Sequence, residues 1–167
     1  MTRFRRALVV LALGLGCAGC GRAPLPGKAE PALAAMLATA EAAQAGASLA
    51  RGRAASPEIR NLADQVERDT TRFMARVRGL AQANGVEIIR VERPAQGQLA
   101  ELTADRSGDF DRKFLVYNYG ALTQLERQLE AGQAGVWPEL ARFGPVLRQS
   151  QFLSGWCLGH CLGGRSR

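Results

Sequence analysis

"SPEIRNLADQVERDTTRFMARVRGLAQANG", Ser56 to Gly85, decides the fold. Ser56 is a good helix N-cap, Pro57 suits the first turn, and Glu58 complements the positive end of the dipole. Ile59, Leu62, Val66, Phe73, Val77 and Leu80 then recur at three- and four-residue steps, which predicts one long amphipathic helix. Asn84-Gly85 closes it, with Gly85 free to take the left-handed cap. Two polar residues, Asp69 and Thr70, interrupt the stripe between Val66 and Phe73. We expect Asp69 to be a buried structural acid bonded by Tyr117, Tyr119 or an arginine, because an unpaired buried carboxylate is costly. Arg60, Arg68, Arg72 and Arg76 fall toward the other face, with Asp64 four residues before Arg68. They read as a solvated face with weak i,i+4 pairs, in preference to a contact surface for acidic lipid or polymer.

Similar patterns lie on either side. Residues 31–53 are rich in Ala, with Leu33, Met36, Leu37, Ala40 and Ala47 as inward positions. Residues 86–94, "VEIIRVERP", have strand-like composition but no partner strand, so an extended loop is expected, followed by a short helix over 98–104. A third long helix begins near "SGDFDRKFL", capped by Ser107 or Asp109. Its stripe is Phe110, Phe114, Tyr117, Ala121 and Leu125, with Leu122 and Leu129 beside it, and Gly132 and Gly135 end it. The last segment starts at "VWPEL" and turns Leu140, Phe143, Leu147 and either Phe152 or Leu153 inward, with Pro145 kinking or restarting it. Long helices on short connections predict an all-α, antiparallel four-helix bundle over residues 31–155.

The ends carry other signals. "MTRFRR" is basic, "ALVVLALGLGCAG" is a short apolar run, and small residues precede a cysteine in "CAGCG". The run is short for a membrane span of about 20 residues. The pattern resembles the lipobox of bacterial lipoproteins, which implies a signal peptide over 1–19 and lipid on Cys20, with Cys17 the weaker alternative. "GRAPLPGKAEPA" follows as a Pro/Gly-rich tether. Gly21, in place of the Asp associated with inner-membrane retention, favours the periplasmic side of the outer membrane. Residues 156–167, with "WCLGHCLGG", read as a Cys/Gly-rich tail. Its C-x-x-H-C order is wrong for haem attachment. Cys157, His160 and Cys161 supply only three zinc ligands, and a local Cys157–Cys161 disulfide requires the segment not to be helical.

The interior motifs carry a second resemblance. "SPEIRNLADQVERDTTRF", "GDFDRKFL" and "GPVLRQSQFL" resemble, in order and spacing, a bacterial ferritin-like family of outer-membrane proteins of unknown function, domain of unknown function 4142. The likeness spans roughly residues 33–153 and implies a ferritin-like bundle in the cell envelope. It also implies losses. The family's histidines fall here at Thr70, near Leu122 and at Ser150, and an acid common in its first helix falls near Ala43, with Glu41 nearby. The single His of this chain is His160, outside these motifs.

Composition narrows function. The formal charge is +7, but removing Arg3, Arg5 and Arg6 with the signal peptide leaves 19 basic against 15 acidic residues, too mild a surplus for nucleic-acid binding. No E-x-x-H, G-x-S-x-G, P-loop or dinucleotide fingerprint occurs. The expectation is a non-enzymatic envelope lipoprotein with no catalytic residue, metal or cofactor, no nucleic-acid partner and no identified small-molecule substrate. It would contact the membrane through its anchor and envelope proteins through its bundle. The alternative is a metal-binding or redox bundle using carboxylates.

Overall fold

The computed structural model describes residues 29–88, 95–132 and 137–160. Six helices follow one another: α1 (Ala29–Arg53), α2 (Pro57–Ala83), α3 (Ala95–Ala104), α4 (Phe110–Gly132), α5 (Pro138–Ala141) and α6 (Gly144–His160). The expected all-α bundle is what forms. α1 packs on α2 and α4, α4 packs on α6, and α6 closes back on α2. The four long helices therefore make a ring in which α1 faces α6, and α2 faces α4, across the core.

Cross-helix pairs fix the directions. Glu41 meets Arg78 and Arg51 meets Asp64, so α2 runs against α1. Tyr117 meets Ala42 and Phe110 lies under Arg53, so α4 also runs against α1. Asn118 meets Ser154 and Glu126 meets Arg148, so α6 runs against α4. Ring neighbours are antiparallel throughout. The chain goes up, down, down, up, with one crossover between α2 and α4 that carries α3.

The local signals at α2 hold. Ser56 is the N-cap and accepts from the Ile59 N–H, and Gly85 has φ +65°. The turn between α1 and α2 has further supports. Asp111 of α4 accepts from the N–H groups of Ala55 and Ser56, both at 2.9 Å. Arg60 donates back to the carbonyls of Ala54 and Ala55. A buried carboxylate on two orphan amides is a strong tie between helices.

Arg53 holds the crossover. Its guanidinium donates to the carbonyls of Leu102, Thr103 and Asp105 at the end of α3, and lies 4.5 Å over the Phe110 ring. A cation at a helix C-terminus satisfies carbonyls that lack intrahelical partners. Beside it Lys113 pairs with Asp105 at 2.5 Å. Val86–Ile88 are neither helix nor strand, as an extended loop requires; the rest of that segment lies outside the described residues.

The core is built from α1, α2, α4 and α6, with Phe73, Phe114, Leu33, Met36, Leu125 and Leu129 among its buried side chains. Each such Leu or Phe contributes about 1.5–3 kcal/mol of hydrophobic stabilisation. Gly46 makes room on α1 for the Tyr117 ring of α4. A Cβ there would lie 2.4 Å from the Tyr117 ring, and the ring's hydroxyl donates to the Ala42 carbonyl at 2.7 Å.

The far end differs from expectation. The sequence places a tail from residue 156, yet α6 continues to His160 and Cys157 packs in the core at 5% exposure. The small residues Ser150 and Ser154 bring α6 close enough to the ring for its last turn to bury Cys157. Cys161 lies outside the described residues, as do Cys17 and Cys20. Pro145 restarts the chain, in the first turn of α6 after the short α5. Leu153 packs against the core and Phe152 points to solvent.

Candidate functional site

The residues singled out on α2 separate. Thr70, not Asp69, faces the core: Thr70 is fully buried, with Oγ1 donating to the Val66 carbonyl at 2.7 Å, and Asp69 is only half-buried. The expectation of a buried acid is corrected accordingly. One helical position is 100° of rotation, so neighbours on the edge of a stripe take different environments. Tyr117 is committed to Ala42 and Tyr119 leans on Gly155 of α6, so neither reaches Asp69. Burial pushes the Asp69 carboxyl above its ordinary value, opposed by Arg72, Arg68 and a bond from Gln65.

A polar seam runs between α2, α4 and α6 near the centre of the bundle. Asn118, Ser150 and Ser154 are all essentially inaccessible. Asn118 Nδ2 donates to Ser154 Oγ at 3.0 Å, and Ser154 Oγ donates to the Ser150 carbonyl at 2.8 Å. Gln65 Nε2 reaches Ser150 Oγ at 3.4 Å. Just outside the seam, Gln151 donates to Thr123 at 2.7 Å. Asn118 stands four residues after Phe114 and four before Leu122, on the stripe of α4 itself, so periodicity places it inward and only its polarity hides it from a search for apolar positions.

The three positions at which the resemblance places histidines, Thr70, Leu122 and Ser150, are all buried and turned into the ring. Ala43, where it places an acid, is buried too, and Glu41 instead reaches Arg78 at 3.0 Å. Among the described residues, no three His, Cys, Asp or Glu side chains gather where one ion could bind. His160 stacks on Trp156, with centroids 5.2 Å apart, at the end of α6 and away from the seam.

Two of the four arginines in the α2 row are spent on neighbours. Arg60 binds the α1–α2 turn and Arg76 pairs with Glu139 at 3.0 Å. Asp64 pairs with Arg51 of α1 at 2.6 Å, and the same arginine holds Glu67. These pairs are exposed and worth little individually.

A concavity of about 550 Å³ lies between α3 and α4, lined by Leu102, Val116, Tyr117 and Gly120 together with Gln98, Glu101, Asp109 and Arg112. Lys113 on its wall is already held by Asp105 and Ser107. Among the described residues no helix is long and apolar enough to cross a membrane.

The fold and its interior define a class, a four-helix bundle with one crossover and a hydroxyl- and amide-lined seam. The chain belongs to the family called domain of unknown function 4142, whose model matches residues 20–141. Its fold is similar to the crystal structure of a DUF305 fragment from Deinococcus radiodurans. That similarity has a TM-score of 0.65 at 16% identity, over 82% of this chain and 99% of that one. No curated protein matches the chain.

Proposed function

We propose that this protein is a non-enzymatic lipoprotein of the bacterial cell envelope, acylated at Cys20, whose ferritin-like bundle serves as an interaction module on the periplasmic side of the outer membrane. The observation that carries the reading is the order of features at the N-terminus: basic residues, a short apolar run, then "CAGC" and a Pro/Gly-rich tether. Ferritin-like descent is supported by the helix directions, since a single long crossover between the second and third long helices is the connectivity of that class. The non-enzymatic reading is supported by what stands at the inward positions. Thr70, Leu122 and Ser150 bring hydroxyls and methyl groups, which do not titrate near neutral pH and are poor ligands for transition metals.

The test is mass spectrometry of protein extracted from cell membranes with detergent. The expected N-terminus is Cys20 carrying diacylglycerol and an amide-linked acyl chain, and Cys20→Ala should accumulate as uncleaved precursor. An unmodified N-terminus downstream of residue 20 overturns the anchor. Stable attachment needs more than one chain, because a single acyl group binds only marginally.

A further inference from the structure

The exposed large hydrophobic side chains among the described residues are Val116 at 58%, Tyr119 at 43%, Phe152 at 69% and Trp156 at 47%, and all four lie on α4 and α6. Phe152 and Trp156 are one turn apart on α6, on the side away from Ser150, Ser154 and Cys157. Tyr119 lies one turn after Val116 on α4 and leans across to α6, with its ring 3.6 Å from where a Gly155 Cβ would be. The four, three of them aromatic, therefore lie on the outer sides of two adjacent helices that Tyr119 joins, and make one mainly aromatic face. Scattered exposed apolar residues need no explanation, but this clustering does.

We propose that this face rests on a phospholipid bilayer, the same membrane that holds the lipid on Cys20, so that the bundle lies on its side. The proposal builds on the anchor reading above. Trp and Tyr combine a large apolar body with a polar tip, the chemistry that settles at a membrane–water interface. Arg112 and Arg127 fall on the same exposed side of α4 as Val116, and Asp109 and Glu130 share that side, so the face carries no net charge and its apolar surface is what meets the bilayer.

The length of chain before α1 allows the arrangement. Residues 21–28 can span about 28 Å when extended. The aromatic face lies level with Ala42, which Tyr117 touches, and thus about 20 Å along α1 from its start. α1 neighbours α4 in the ring, so the face is about one helix diameter, ~10 Å, further out. Lipid on Cys20 and the aromatic face can therefore meet one bilayer together.

The experiment uses the chain from residue 20 with Cys20→Ser, which keeps every described helix and carries no lipid, so its outcome is independent of acylation. Its flotation with vesicles of phosphatidylethanolamine and phosphatidylglycerol is measured beside tryptophan emission. The expected result is measurable partitioning with a blue shift from Trp156, Trp137 being buried and constant. Val116→Glu/Phe152→Ser, which keeps both tryptophans, should lower partitioning about tenfold, since it replaces buried apolar area with charge and hydroxyl. Both substitutions are at exposed positions, and unchanged circular dichroism and melting temperature show that the variant is folded. Absence of vesicle binding overturns the proposal. So does binding that the variant retains. Concentration-dependent dimerisation in ultracentrifugation, abolished by the variant and without vesicle binding, assigns the face to a second copy instead.

Discussion

Asp69 and Thr70 are chain neighbours with different fates. Thr70 can sit in the core because its hydroxyl donates to the Val66 carbonyl of its own helix, a bond that needs no other element. Asp69 stays at the margin, where Gln65, Arg68 and Arg72 of its own helix serve its charge. Its carboxyl is raised above the ordinary 3.8 mainly by burial, so the folded chain disfavours the ionised form. The linkage has a definite sign: stability is lost as pH rises through the raised value and recovered below it. Asp69→Asn should therefore leave the melting temperature at pH 7 unchanged or raise it by up to about 3 °C. The difference should vanish near pH 3, where the wild-type carboxyl is protonated. A clear drop at pH 7 would show that the carboxylate has a stabilising partner.

At the scale of elements, α1 and α4 pack closely because Gly46 has no side chain. Tyr117 fills that space and donates to Ala42, and burial pushes its hydroxyl up to about 12. Gly46→Ala puts a methyl group 2.4 Å from the ring. Ala has the better helix propensity by about 1 kcal/mol, but overpacking costs about 1–3 kcal/mol. The variant should be destabilised by up to about 2 kcal/mol in urea titration. In Gly46→Ala/Tyr117→Leu the alanine should cost less, because the smaller side chain relieves the contact. Equal penalties in both backgrounds would show that Tyr117 is not what limits this approach.

At the scale of the molecule, the crossover must be fastened if the ring is to close in one order. Arg53 gathers the carbonyls at the end of α3, and Asp105 joins that end to α4 through Lys113 and Ser107. Asp105 is nearly inaccessible, and bonds from Lys113 and Ser107 hold its carboxyl down to about 2. A depressed acid contributes stability above its unfolded value, and that contribution is lost as pH falls through the folded one. Wild type should therefore exceed Asp105→Asn in urea midpoint by a constant margin above about pH 4, and the margin should shrink toward pH 2. A margin that does not change with pH would mean that the Lys113 pair does not form in solution.

The helices themselves were legible in the sequence. The cap at Ser56, the stripe from Ile59 to Leu80 and the stripe from Phe110 to Leu129 are local patterns, and local patterns fix helix positions and their buried faces. The family likeness and the N-terminal signal are also properties of residue order. Tertiary structure alone decided the rest. Asp111 stands in the first turn of α4, where any acid suits the dipole, yet it accepts from the amides of Ala55 and Ser56 because the ring brings the two ends together. Asn118 and Ser154 meet in the seam, and Tyr119 meets Gly155, across helices far apart in the chain. Phe152 fits either face on periodicity, and which one is buried depends on where α4 and α2 approach α6. A helix's hydrophobic stripe says that a face will be covered. Which neighbour covers it, and what is left uncovered, follows from the closing of the ring.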